Sequence, residues 1–285
     1  MKNKPSVTSR RIVDAIWSNL LVIILVLVWL IPIIWVIAAS FRVGNGFMST
    51  TFFPSAYTFD NYIKLFHSTA GIKFLSWVKN TVVIAVVNTV LTTLFTIITA
   101  YTLSRFRFKM RKPLMNIALI LGMFPGFMAM IAVYLILNLL GLIGNIWALL
   151  LVYVSGAGLG FFVSKGYFDT ISKEIDEAAI LDGANQFQVF FKIFLPLAKP
   201  IIIYTALMAF MTPWTDYILA GLILRDPADM TVAVGLYNMT LENRISSQFT
   251  MFAAGCILIA IPSVILYIAL QRFMVEGISA GAVKG

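Results

Sequence analysis

The sequence predicts an all-α integral membrane protein with six transmembrane helices and both termini in the cytoplasm. Three observations carry this. The 285-residue chain is 60% hydrophobic, has a mean hydropathy of +0.94 and is only 12% charged, whereas soluble domains are about a quarter charged. Charge-free stretches run from Asp14 to Arg42, Lys79 to Arg105, Lys112 to Lys165 and Arg244 to Arg272, and a spanning helix needs about 20 apolar residues. Positive charge is also unevenly placed. Segments 1–16, 104–113, 165–199 and 271–285 hold fifteen of the 21 Lys and Arg residues, which sets those segments on the cytoplasmic side.

The elements follow in chain order. Residues 1–16 are a short basic cytoplasmic start, and 17–285 form the transmembrane domain. The apolar run 15–41 exceeds the 7–15 residues of a signal-peptide core, so the first helix, near 17–39, is expected to stay uncleaved. Residues 41–77 are the longest outer segment. Pro54 and the aromatics Phe52, Phe53, Tyr57, Phe59, Tyr62 and Phe66 suit a lid at the headgroup level. The second helix, near 79–103, ends in the basic cluster Arg105, Arg107, Lys109, Arg111 and Lys112, which reads as a topology anchor. The gap 113–164 fits two helices, near 114–137 and 146–164. Between them Asn138, Gly141, Gly144 and Asn145 mark a turn. A fifth helix, near 200–223, carries one acid, Asp216, and a sixth lies near 249–270. A β-barrel would show alternating polarity over about ten residues; these runs are apolar all round.

Composition also closes off chemistry. Cys256 and His67 are the single cysteine and histidine, so no intramolecular disulfide forms and no thiolate or His-based metal cluster is expected. No Gly-Lys pair occurs, so there is no phosphate-cradling Walker loop. The net charge of +9 is spent on topology, and no nucleic-acid partner is expected. Within the second helix Asn88, Thr92, Thr96 and Thr99 share one stripe, which suits a protein-facing or watered surface. Pro125, Pro213 and Pro262 fall inside spans, where neighbouring helices repair the lost hydrogen bond.

The polar segment between Lys165 and Pro200 is the most informative part of the chain. Thr170 or Ser172 caps a helix whose first turn holds Glu174 and Asp176. Ile171, Ile175, Ala178 and Ala179 lie on one face and Glu174 and Glu177 on another. Gly183 permits a turn closed to other residues. Phe187, Phe190, Phe191 and Phe194 then make a stripe on a second helix, expected to pack on the bundle and to stop before Pro196. The product is a short surface helix on a stiff elbow.

Glu177-Ala178-Ala179, Gly183, Ile193 and Leu195-Pro196 match the spacing of the EAA signature, and the chain resembles permeases of ABC importers. Lys165 to Thr170, Ala100 to Phe108 and Glu276 to Gly285 resemble the carbohydrate-uptake branch, and the ending is similar to that of the MalG-type subunit. The resemblance covers all but about the first dozen residues. It implies a type I ABC importer permease fold in a bacterial cytoplasmic membrane. It implies a coupling loop, about 166–199, seated in a cleft of an ATPase subunit through Glu177, Ala178, Ala179, Gly183, Ile193, Leu195 and Pro196. A C-terminal tail, 271–285, would reach the ATPases through Gly277, Gly281, Lys284 and Gly285. Two ATPase subunits binding ATP and Mg, a second, MalF-like permease, an extracellular sugar-binding protein and an oligosaccharide are the implied partners, with no cofactor in this chain. The last outer loop, 224–248, would meet the binding protein. Met211 to Asp216 departs from the family's commoner Trp-Asn-Glu-Phe pattern.

The substrate path is expected to use Asn88, Tyr134, Asn138, Trp214 and Asp216, since sugars are held by aromatic faces, hydroxyls and amides. An ion-coupled secondary transporter is the rival reading. It needs intramembrane acids or histidines, and only Asp216 qualifies. An integral-membrane enzyme needs a catalytic cluster at one depth, and none is evident.

Overall fold

The computed structural model describes the backbone of residues 7–44, 47, 49, 51–67 and 71–282. Its regular elements are helical, apart from an isolated antiparallel bridge between Arg42 and Tyr57. The chain forms two compact units: Met1–His67 with Met239–Ile257, and Ser68–Asn238 with Leu258–Gly285.

In the first unit α1 (Val7–Ser40) is long and apolar. Ala39, Phe249 and Ala253 make a small buried core, with the Trp35 and Phe249 rings 5.6 Å apart. The outer segment after α1 is folded around polar side chains. The Asn61 amide donates to the carbonyls of Ser40 (2.9 Å) and Arg42 (2.8 Å). The buried Arg42 guanidinium donates to the carbonyls of Thr51 (2.8 Å) and Phe52 (3.3 Å) and to the Ser49 hydroxyl. A short helix, α2 (Asp60–Phe66), closes it. Phe53, Tyr57 and Phe59 remain exposed, as headgroup-level aromatics would be.

The second unit is organised by α3 (Phe74–Arg105), which no proline or glycine interrupts. It packs along α6 (Ile146–Asp169) and α9 (Lys199–Thr215). Small residues let the backbones approach, and side-chain amides join them as expected in lipid. Ala85, Ala157 and Ala209 are buried, and the Asn88 amide donates to the Ala209 carbonyl (2.7 Å).

Four helices are long and apolar enough to span a membrane, and two bent pairs raise the number to six among the described residues. Two expected spans are not single rods. The third is α4 (Arg111–Gly122) and α5 (Gly126–Leu139), bent by 98°. Pro125 sits at the joint, where it lacks an N–H and disfavours helix at the preceding residue. The fifth breaks after α9 and resumes as α10 (Ile218–Ile223). Pro213 stays inside α9; the break is at Asp216, whose backbone is extended. Asn145 caps α6 by accepting the Trp147 N–H (2.8 Å), as the turn at 138–145 anticipated. The sixth helix is longer than expected. After α11 (Val232–Met239), α12 runs Glu242–Ala282 with Pro262 inside, so Gly277 and Gly281 lie on helix. Lys284 and Gly285 fall outside the described residues.

Candidate functional site

Between α6 and α9 the polar segment folds as two helices, α7 (Lys173–Leu181) and α8 (Gln186–Leu197). Ser172 is the N-cap of α7, accepting the Glu174 N–H (3.3 Å). At the other end Gly183 has φ +87°. Its N–H bonds the Ile180 carbonyl (3.0 Å), and the Ala184 N–H bonds that of Ala179 (2.9 Å). This crossed pair is a Schellman stop, which requires a left-handed residue at that position. Asn185 then opens α8 with a reciprocal cap to Gln188. The elbow expected at Gly183 is present and fully bonded.

The inner face of α7 is narrow. Ala179 is buried, while Glu177, Ala178, Ile180 and Leu181 are exposed, Leu181 by 88%. The expected four-Phe stripe is split. Phe190 and Phe194 turn inward, whereas Phe187 (76% exposed) and Phe191 stay outside. A π turn over Val189–Phe194 resets the helical phase. Helix α8 also continues through Pro196 to Leu197 rather than stopping before it. Ile193 and Leu195 are half-buried and Pro196 is exposed.

Two helices of the bundle grip this segment. Tyr101 of α3 lies 4.6 Å from Phe190 and 4.7 Å from Phe194, and Phe168 of α6 lies 4.8 Å from Phe194, ring centre to ring centre. Arg105, at the end of α3, stacks 4.9 Å over Phe194, donates to the Ile171 carbonyl (3.0 Å) and pairs with Asp176 of α7 (2.8 Å). The Arg105 and Asp176 side chains are only 6% and 14% exposed. Burial raises the Asp176 carboxyl above the ordinary carboxylate range, against the pull of the Arg105 guanidinium. Ser104 donates to Asp169 (2.7 Å), which also accepts from Lys165 (2.5 Å). From sequence alone Arg105 reads only as an anchor; its pairing with Asp176 depends on tertiary placement.

A second feature lies among α3, α6 and α9. A cavity of about 450 Å³ is lined by Asn88, Thr92, Thr96, Tyr153, Ser164, Tyr204, Thr205 and Thr212, with Gly156 and Gly160. No charged residue lines it. Of the residues expected on a substrate path, Asn88 borders it, with its carbonyl oxygen accepting from Thr92 (2.8 Å). Asp216 reaches its wall through Tyr153, whose hydroxyl donates to the carboxylate (2.7 Å). The other Asp216 oxygen accepts the Leu219 N–H (3.0 Å) and starts α10. Trp214 is buried beside Phe210 (5.9 Å) and Asn138 is exposed on α5; neither lines the cavity. Tyr134 accepts from Arg225 (2.6 Å), away from it. Tyr153, Ser164, Tyr204 and Thr205 escaped the sequence reading, because a lone hydroxyl in an apolar run carries no periodic signal. Tyr153→Phe is expected to lower stability by about 0.5–1.5 kcal/mol, the worth of one hydrogen bond, read as a lower melting temperature in detergent. Asp216→Asn, which keeps the acceptor for Leu219, should cost less.

Comparison with known proteins places this geometry. Residues 92–279 match the family described as binding-protein-dependent transport system inner membrane component. The galactooligosaccharides transport system permease protein GanQ of Bacillus subtilis is 37% identical, over 97% of this chain and 98% of its own length. The maltodextrin transport system permease protein MdxG of the same organism is 37% identical, over 98% and 99%. The maltose/maltodextrin permease protein MalG of Vibrio vulnificus is 30% identical, over 95% and 94%. Among solved structures, a bacterial ABC transporter involved in import of the acidic polysaccharide alginate aligns with a TM-score of 0.78 at 26% identity, covering 95% of this chain and 99% of that one. The chain therefore belongs to the inner membrane components of binding-protein-dependent transport systems, the non-catalytic permease subunits of sugar ABC importers.

Proposed function

We propose that this chain is one of two permeases of an importer carrying a neutral oligosaccharide across a bacterial cytoplasmic membrane, with both termini inside. Two partner ATPase subunits supply ATP and Mg chemistry, and an extracellular binding protein delivers the sugar. The observation that carries the coupling role is α7 itself. Outside the spanning helices, large apolar side chains facing water mark a protein contact. Ile180 and Leu181 of α7 and Phe187 of α8 are such exposed side chains, while Asp176 and Ala179 hold the inner face of α7 to the bundle. A knob gripped from behind and bare in front fits a cleft on an ATPase. Glu177 and Ala178 sit on the exposed side.

The cargo reading rests on the cavity. Its hydroxyls and two tyrosines match a sugar's own hydroxyls and C–H faces, and the absence of charge in its lining favours a neutral chain over an acidic one. Relatives named for maltodextrin and galactooligosaccharides agree with that class. Asp216 is a poor ion-coupling group, since both its carboxylate oxygens hold the fold.

The test uses the lone cysteine. In a Cys256→Ser background, Leu181→Cys should cross-link to the ATPase subunit, and Asp226→Cys in the last outer loop should not. The same assembly in proteoliposomes should take up maltotetraose or β-1,4-galactotetraose only with ATP and loaded binding protein. Cross-linking from Asp226→Cys, or uptake without the ATPase, would overturn the proposal.

A further inference from the structure

We infer that Trp77, Asn80 and Thr81 are positioning residues for the last outer loop, and that α3 is the strut joining that loop to the coupling segment. This rests on the functional reading above and adds a route for the signal. Several backbone groups of residues 227–232 are bonded by side chains of α3. The Trp77 indole donates to the Pro227 carbonyl (2.7 Å). The Asn80 amide donates to the carbonyls of Ala228 (2.9 Å) and Met230 (3.1 Å). The Thr81 hydroxyl accepts the Val232 N–H (2.8 Å) and donates to the Trp77 carbonyl (2.7 Å). Four loop groups are thus fixed by three side chains within five residues of one helix. These bonds tie the shape of the loop to α3.

The fit is close enough to exclude alternatives. A Cβ at Gly235 would stand 2.2 Å from the Trp77 ring, so α11 reaches α3 only because residue 235 is glycine. At the opposite end of the same helix, Ser104 and Arg105 hold Asp169, Ile171 and Asp176. Helix α3, which carries both grips, has 32 residues and is about 48 Å long. Sharp bends in helices come from proline, glycine or inserted side chains, and α3 has neither proline nor glycine. Two other routes in this unit are bent: α9 meets α8 at 78° and ends at Asp216, and α4 and α5 meet at 98°; α6 is unbroken but contains four glycines, at 156, 158, 160 and 166. A push on α7 therefore arrives at loop 227–232 through α3 with the least loss, and docking at the loop acts back on α7 by the same path, as linkage requires.

The experiment measures ATP hydrolysis by the complete assembly in proteoliposomes, with and without sugar-loaded binding protein. The probe is maltotetraose or β-1,4-galactotetraose, whichever the wild type imports. Asn80→Ala and Thr81→Val should lose binding-protein stimulation by about fivefold or more, with assembly and basal hydrolysis as in the wild type. Val86→Gly with Val90→Gly, on an exposed part of α3, leaves both grips intact but softens the rod, and should lose stimulation as well. Full stimulation in the Asn80 and Thr81 variants overturns the positioning role. Full stimulation in the softened helix alone overturns the strut. A wild type that shows no stimulation fails the functional reading instead, which keeps the two outcomes apart.

Discussion

Gly183→Val is expected to cut sugar uptake about tenfold while the assembly still reaches the membrane and hydrolyses ATP. A Cβ at this position meets nothing within 4 Å, so sterics with neighbours are not the cause. The cost is in the backbone. An L-residue in the left-handed region loses about 1–2 kcal/mol, a β-branched one is worse placed, and about 1.4 kcal/mol is a factor of ten in an equilibrium. That strain is relieved by giving up the bonds from Gly183 to Ile180 and from Ala184 to Ala179. Those bonds fix the angle between α7 and α8. Once they loosen, α7 can still sit on an ATPase, but its motion is absorbed at the elbow instead of reaching Phe190 and Phe194 in the aromatic grip. Hydrolysis and uptake should separate: uptake falls and ATP turnover persists. Gly183→Asn, which tolerates this conformation better, should fall between wild type and valine. Uptake and hydrolysis measured on the same proteoliposomes decide it. Normal uptake by the valine variant would remove the elbow from the coupling mechanism.

How much of this was legible in the sequence depended on the range of the interaction. Features set by local chemistry were readable. The charge-free stretches located most of the spans, Thr170 or Ser172 signalled the cap of α7, Asn138 to Asn145 marked a turn, and Gly183 announced its own. Features set by tertiary fit were not. Pro125 and Pro213 look alike in an apolar run, yet one marks a 98° joint and the other sits inside α9. The difference lies in what surrounds each, and Asp216 ends α9 by bonding forward to Leu219. The phenylalanine stripe was read at ordinary helical spacing, which a π turn defeats. Asn88 is fixed by Ala209 and Thr92, and the hydroxyls beside it come from three helices whose alignment no single segment encodes. Trp214 and Asn138 suit a sugar by residue type, and neither lines the cavity.

The second large effect is expected at the Arg105–Asp176 pair. Arg105→Met leaves the Asp176 carboxylate in a site that is 14% exposed with no countercharge, and removes the donor to the Ile171 carbonyl. Breaking a buried pair from one side costs about 3–5 kcal/mol, enough to detach α7 from the bundle. Asp176→Asn strands the other charge: the Arg105 guanidinium is only 6% exposed and cannot shed its proton, so this variant should be destabilising as well. Burial holds the Asp176 carboxyl above its usual pKa, and the pH dependence follows from that. A raised carboxyl pKa stabilises the folded state below the unfolded-state value, and that contribution is lost as pH rises through the folded-state value. Asp176→Asn should abolish this slope. The pair is also incompletely bonded, since Nη1 of Arg105 and Oδ1 of Asp176 lack a hydrogen-bond partner among the described residues. Its importance therefore lies in neither charge being left alone. The double variant Arg105→Met with Asp176→Leu should recover much of what Arg105→Met loses in thermal stability, because no buried charge remains. A double-mutant cycle measures this directly. If the double variant regains stability but not uptake, the pair serves to carry motion from α7 into α3. If stability and uptake return together, it serves to hold the segment in place.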